Sequence, residues 1–166
     1  YRWNNEGFVD LAHLDHVWVT SAEGGEPRRL TRGVRYKESA IEWSRDGRHI
    51  VFATDRREAP WFAAPSEDND LRAVSPELTE ATEGDAMKLV ADIAGPIAQF
   101  AQVVDGRIVA VGGIRPAKPN SYDANDLLLF EGPWPQGSPR VLTEALDLHV
   151  GEGIASDQHP PRGGGA

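Results

Sequence analysis

A chain of 166 residues, 40% hydrophobic and 26% charged, is long enough for one domain with a sizeable core, and its balance excludes global disorder. Its 26 acidic residues outnumber 17 basic ones, and the net charge of −9 opposes binding to nucleic-acid phosphates. The absence of Cys excludes disulfides and thiolate chemistry, and no apolar run approaches the roughly 20 residues that span a bilayer. The absence of Cys fits a reducing compartment, so the cytoplasm is the expected compartment, and no basic and then apolar opening resembles a signal peptide. Tyr1 at the start and the run from Arg162 to Ala166 after Pro160 and Pro161 read as cuts or limits of order.

In chain order, the first predicted element is the hairpin DHVWVTSAEGGEPRRLT, Asp15 to Thr31: a β-rich run, a Gly-containing turn, and a second run ending in Leu30 and Thr31. The next is EWSRDGRHIVFATD, Glu42 to Asp55, where Asp46 and Gly47 separate two strand-like runs. Asp-Gly between apolar runs signals a two-residue primed turn, because Gly takes the required positive φ. A degenerate copy of the first element runs from Asp70 to Val90, with Leu89 and Val90 in the Leu-Thr place. Helix-favouring composition from Pro76 to Ala94 offers a short helix as the competing assignment, interrupted by Gly84 and stopped by Gly95 and Pro96. FAQVVDGRIVAVGG, Phe100 to Gly113, repeats the Asp-Gly hairpin, and NDLLLFEGPWPQGSPRVLT, Asn125 to Thr143, repeats the first element.

The openings at Asp15, Asp70 and Asp126 fall at intervals of 55 and 56 residues. Each unit, roughly 15–69, 70–124 and 125–166, therefore reads as two hairpins or four short strands. A four-stranded sheet repeated at a fixed period builds a propeller, so the expected fold is all-β, a partial β-propeller of about three four-stranded blades. Val17 to Val19, Ile50 to Phe52, Ile108 to Val111 and Leu127 to Phe130 are nearly continuous apolar runs, as befits strands covered on both faces.

Pro27, Arg28, Leu30, Thr31, then Trp43, Ser44, Asp46, Gly47 and the run to Phe52, Thr54 and Asp55 carry a family resemblance. The chain resembles the propeller region of serine peptidases of the prolyl oligopeptidase family, acylaminoacyl-peptidase-like, and the related repeat of TolB-type propellers. The opening Tyr1, Arg2, Trp3, Asn4, Glu6 and Gly7 is similar to the family's inter-blade segment, as is the stretch from Leu142 through Asp147, Val150 and Gly151 to Asp157. The resemblance implies a non-catalytic segment that gates peptide access to an α/β-hydrolase domain absent from this chain. It implies as partners the remainder of the propeller, that hydrolase domain and short peptides. A TolB-type scaffold for protein–protein contact is the alternative, and a sugar-active enzyme, which needs paired inward carboxylates, is a third and weaker reading.

No G-x-S-x-G elbow occurs, so no catalytic residue is assigned. Ser156, Asp157 and His159 are triad residue types but crowd into one short segment, whereas triad groups converge from separated loops. His13 and His16 with Asp10 and Asp15 have metal-ligand chemistry, yet a solvated polar edge accounts for them. Glu67, Asp68, Asn69 and Asp70 lack the Gly and distal Glu of a calcium loop and read as a solvated turn before a strand. No metal or cofactor is expected.

Of Trp3, Trp18, Trp43, Trp61 and Trp134, blade packing accounts for Trp18 and Trp43. Trp61 and Phe62, between Pro60 and Pro65, are placed on a loop facing a substrate chamber or the hydrolase domain. Arg2 and Arg115 join them as substrate-binding candidates, since guanidinium holds a peptide carboxylate bidentately; Arg56 and Arg57 have the same chemistry. Three blades leave open sheet faces and edges, so ordering beside further blades or a homo-oligomer is expected.

Overall fold

The computed structural model describes residues 14–32, 38–55, 68–78, 87–114, 124–146 and 149–151. They form an all-β architecture of ten strands in three antiparallel sheets. β1 (Trp18–Val19) and β2 (Arg28–Arg29) make the first sheet. β3 (Glu38–Trp43), β4 (Ile50–Thr54), β5 (Asp70–Val74) and β6 (Lys88–Ala91) make the middle sheet in that order. β7 (Ile97–Gln102), β8 (Ile108–Gly112), β9 (Asp126–Phe130) and β10 (Arg140–Val141) make the third, again with sequential neighbours paired. No helix occurs among the described residues, and Lys88–Ala91 is a strand where a helix was the competing assignment.

The two Asp-Gly segments close hairpins, but not through two-residue primed turns. Val103 N donates to Arg107 O at 2.7 Å and Gly106 N to Val103 O at 3.1 Å; Ser44 N donates to His49 O at 2.7 Å and Gly47 N to Ser44 O at 2.8 Å. Both primed turns need positive φ at the first central residue, here Asp, whereas only the glycines have it, at 69° for Gly47 and 87° for Gly106. The loops lengthen instead into a turn followed by a left-handed glycine, and the first loop holds one residue more than the second. A second glycine is fixed by proximity: a Cβ on Gly112 would lie 2.1 Å from the Pro96 carbonyl oxygen.

Burial then stacks the sheets. All five β4 residues are buried, and their side chains alternate between two clusters. Ile50 and Phe52, with Val74 and Met87, pack against Val17 and Leu30 of the first sheet. Val51 and Ala53, with Leu71 and Ala73, pack against Ile97, Phe100, Ile108, Ala110, Leu128 and Phe130 of the third. The continuous apolar runs thus have the double cover expected of them in β4. Trp18 and Trp43, by contrast, are not core residues: each is 54% exposed. Trp18 lies on the face of β1 turned away from the middle sheet, and Trp43 ends edge strand β3.

A side-chain latch recurs where each outer hairpin begins. Thr31 Oγ1 accepts from Val17 N at 2.9 Å and donates to Glu38 Oε2 at 3.1 Å. Thr143 Oγ1 accepts from Leu127 N at 3.0 Å and donates to Asp126 Oδ1 at 2.7 Å. In the middle sheet a register shift between Leu71 and Arg72 pairs Leu71 with Ala91. The bulge moves Asp92, rather than Ala91, into the place of Thr31 and Thr143, two residues beyond the Val90 of the sequence assignment. His16 Nδ1 also lies 2.9 Å from Glu38 Oε2, with side chains 6% and 0% exposed, so His16 is a buried strut rather than part of a solvated edge.

Each four-stranded sheet takes one hairpin from each of two successive sequence units, since the middle sheet runs from Glu38 to Ala91 across Asp70. Sheets and sequence units are half a period out of phase. The latch generates a stability expectation. Thr31→Val and Thr143→Val each leave a main-chain N–H and a carboxylate short of a partner, and each should cost about 1–3 kcal/mol in urea unfolding. Thr31→Val should cost more, because Glu38 is fully buried; equal or negligible losses would contradict the latch.

Candidate functional site

Successive hairpins of stacked sheets bring their turns to one end of the molecule. Ser44 to His49 from the β3–β4 turn, Gln102 to Gly106 from the β7–β8 turn, and Gly132 to Trp134 after β9 enclose a cleft of about 640 Å³. That volume suits a small ligand or a few peptide residues. Gln102 Nε2 donates to Trp43 O at 3.1 Å, tying one wall to the other. Buried Gln136 holds the third: its Nε2 donates to Gly106 O at 3.1 Å and Gly132 O at 3.0 Å, and its main-chain N donates to Val90 O at 2.7 Å. A parallel bridge between Ala91 and Gln136 completes this seam, and the Trp134–Pro135 peptide bond is cis.

Within the cleft, His49 meets the Trp134 ring edge-on, with centroids 5.5 Å apart at 68°. Its Nε2 lies 3.2 Å from Lys88 Nζ. Ser44 Oγ donates to Asp46 Oδ1 at 2.7 Å and accepts from His49 N at 2.8 Å. That hydroxyl therefore shapes the turn rather than facing an imidazole base, so Ser44, Asp46 and His49 form no triad despite their types. The Ser44 hydroxyl and the Arg48 N–H hold Asp46 below the usual carboxylate range, and Arg107 does the same for Asp105. Val104, 76% exposed, and Ile41 and Trp43, at least half exposed, add apolar surface on the strands and turns that form the walls. The arrangement presents an indole, an aliphatic shelf and fixed polar groups around an open floor.

A second polar cluster lies at the opposite ends of β5 and β6. Burial first, and then the charge of Asp92, pushes the Asp70 carboxyl up to about 6, against the opposing pull of Arg72, whose Nη2 is 3.1 Å away. Asp92 in the latch position supplies a carboxylate where the other two latches supply a hydroxyl, and this substitution generates the repulsion. Asp68 Oδ1 accepts from Gly95 N at 3.0 Å, so the acidic run is anchored to the β6–β7 connection rather than solvated. No group of three or more ligating side chains able to hold a metal occurs among the described residues.

Of the residues singled out in the sequence, Arg2, Trp3, Asp10, His13, Arg56, Arg57, Trp61, Phe62, Glu67, Arg115, Ser156, Asp157 and His159 lie outside the described residues. Of the described tryptophans, Trp134 alone lines the cleft. Sequence reasoning placed Asp46, Gly47, Asp105 and Gly106 in hairpins without recognising that the two turns face one ligand-sized space. Their shared period is the signal that could have shown it. No helix among the described residues is long and apolar enough to cross a membrane. No family model, no curated protein and no solved structure matches this chain.

Two outcomes follow from these geometries. Gln136→Leu strips the donors from Gly106 O and Gly132 O and should lower stability by about 1–3 kcal/mol in denaturant unfolding. An unchanged midpoint would show that the seam does not depend on the amide. For Asp70, the native state holds its proton more tightly than the unfolded chain, so stability should fall as pH rises from about 4 to about 6 and then level off. Asp92→Thr, which restores the hydroxyl latch, should flatten that fall and gain of the order of 1 kcal/mol at neutral pH, allowing for solvent screening. Thermal melts of both proteins across this range would decide it.

Proposed function

We propose that the chain is a non-catalytic segment of a β-propeller in a serine peptidase of the prolyl oligopeptidase type, gating short peptides toward a hydrolase domain carried elsewhere. The observation that supports it most is the serial stacking of two four-stranded sheets with identical strand order behind a third hairpin of the same repeat. In this reading the sheets are propeller blades, the chain performs no chemistry, and the enzyme as a whole is cytoplasmic. The cleft among the turns contacts peptide as it passes: Trp134 and Val104 receive an apolar side chain, while Gln102 and Ser44 stand beside the main chain.

Exposed Ile41 and Trp43 favour a second reading, a TolB-type scaffold that holds a folded protein at this end. An active-serine phosphonate probe separates the two. The isolated chain should take no label and cleave no N-acylated peptide, and it should bind fluorescent short peptides weakly, with Trp134→Ala reducing affinity about tenfold. The natural polypeptide that contains this segment, identified by an antibody to it, should take the label. Labelling or peptide cleavage by the isolated chain would overturn the non-catalytic assignment, and an unlabelled natural polypeptide would favour the scaffold.

A further inference from the structure

The three sheets are stacked in one direction, so each has a front and a back. Val17 and Leu30 on the front of the first sheet meet Ile50, Phe52 and Val74 on the back of the second. Val51, Ala53, Leu71 and Ala73 on the front of the second meet Ile108, Ala110, Leu128 and Phe130 on the back of the third. The repeat makes the remaining faces readable. Trp18, Arg72 and Leu128 occupy equivalent back positions, and Val17, Leu71 and Leu127 equivalent front ones, as do Val51 and Val109, and Ala53 and Val111.

We infer that the chain associates head to tail, the back of the first sheet in one copy, centred on Trp18, docking on the front of the third sheet in the next. Leu128, the equivalent of Trp18, is 0% exposed against such a front face, while Trp18 is 54% exposed. Val51, Ala53 and Leu71 are all fully buried, while their equivalents Val109, Val111 and Leu127 are partly exposed. Leu129 on the same face is already buried, and a Cβ on Gly151 would come 3.0 Å from Val111, so Val109 and Leu127 are the accessible heart of the surface. Arg29, opposite Trp18 on β1–β2, places its guanidinium 5.8 Å from the indole centroid and leaves a polar rim to that patch. The second copy is the occupant because it presents both faces at once, in the relation the two internal interfaces already realise. Such an interface is heterologous, and its repetition either closes a ring or extends in series. The inference concerns this chain by itself and does not rest on the peptidase reading, in which the remainder of the propeller covers the same two faces.

Sedimentation equilibrium of the chain from micromolar to millimolar concentration tests it. The mean mass should rise above 18.1 kDa with concentration, and rise further at about 0.5 M salt than at about 0.15 M, because screening relieves repulsion between copies of charge −9. Trp18→Glu and Val109→Glu, checked by circular dichroism for retained fold, should each weaken association at least about tenfold. The milder Val109→Thr should weaken it less. Mixing Trp18→Glu with Val109→Glu should restore a single interface and stop at a dimer, since each supplies the face the other has lost. A wild-type mass fixed at 18.1 kDa throughout, variants that associate like wild type, or a mixture that stays monomeric would each overturn the proposal.

Discussion

Burial of the middle sheet on both faces is the constraint from which the rest of this structure follows. Five consecutive buried residues in β4 leave no solvated side, so Ile50 and Phe52 require one apolar layer and Val51 and Ala53 another. Each fully buried residue of this size contributes about 1.5–3 kcal/mol relative to exposure, which is enough to hold three sheets in register. The register carries the turns with it. Two hairpins that never share a strand are thereby set side by side, and the cleft between them is a by-product of core packing before it is anything else.

Variation is concentrated at the latches, where geometry is held and chemistry is exchanged. His16, Asp70 and Asp126 stand at the same place in their hairpins, facing Thr31, Asp92 and Thr143 respectively. A hydroxyl both accepts a main-chain N–H and donates to a carboxylate, and so satisfies two groups at no electrostatic cost. A second carboxylate in that place still accepts a main-chain N–H but cannot donate to its neighbour without a proton, and its charge adds to burial in raising the Asp70 carboxyl. The Val90 bulge is the local cause, since it delivers Asp92 rather than Ala91.

Much of the fold was legible because hairpin chemistry is local. Asp46-Gly47 and Asp105-Gly106, flanked by β-branched runs, identify strands β3, β4, β7 and β8, and their 59-residue spacing identifies the repetition. Turn length was not legible, because it depends on whether Asp takes positive φ, which neighbouring strand twist decides. Nor were the exposed indoles of Trp18 and Trp43, whose burial depends on whether another layer lies beyond them. The cleft was hidden for a related reason: its walls are 59 residues apart in sequence at Asp46 and Asp105, and only the stacking distance between sheets brings them together.

The half-period offset between sheets and sequence units has a consequence for how such a chain can grow. Because every four-stranded sheet borrows one hairpin from each of two units, tandem duplication of any window one period long adds one whole sheet, wherever the window begins. Breakpoints need not coincide with a structural boundary, and excision of one period likewise removes one sheet without stranding a half. Gene-level rearrangement is therefore tolerant of imprecise ends in this architecture, and lineages carrying it can change sheet number while keeping every surviving interface intact.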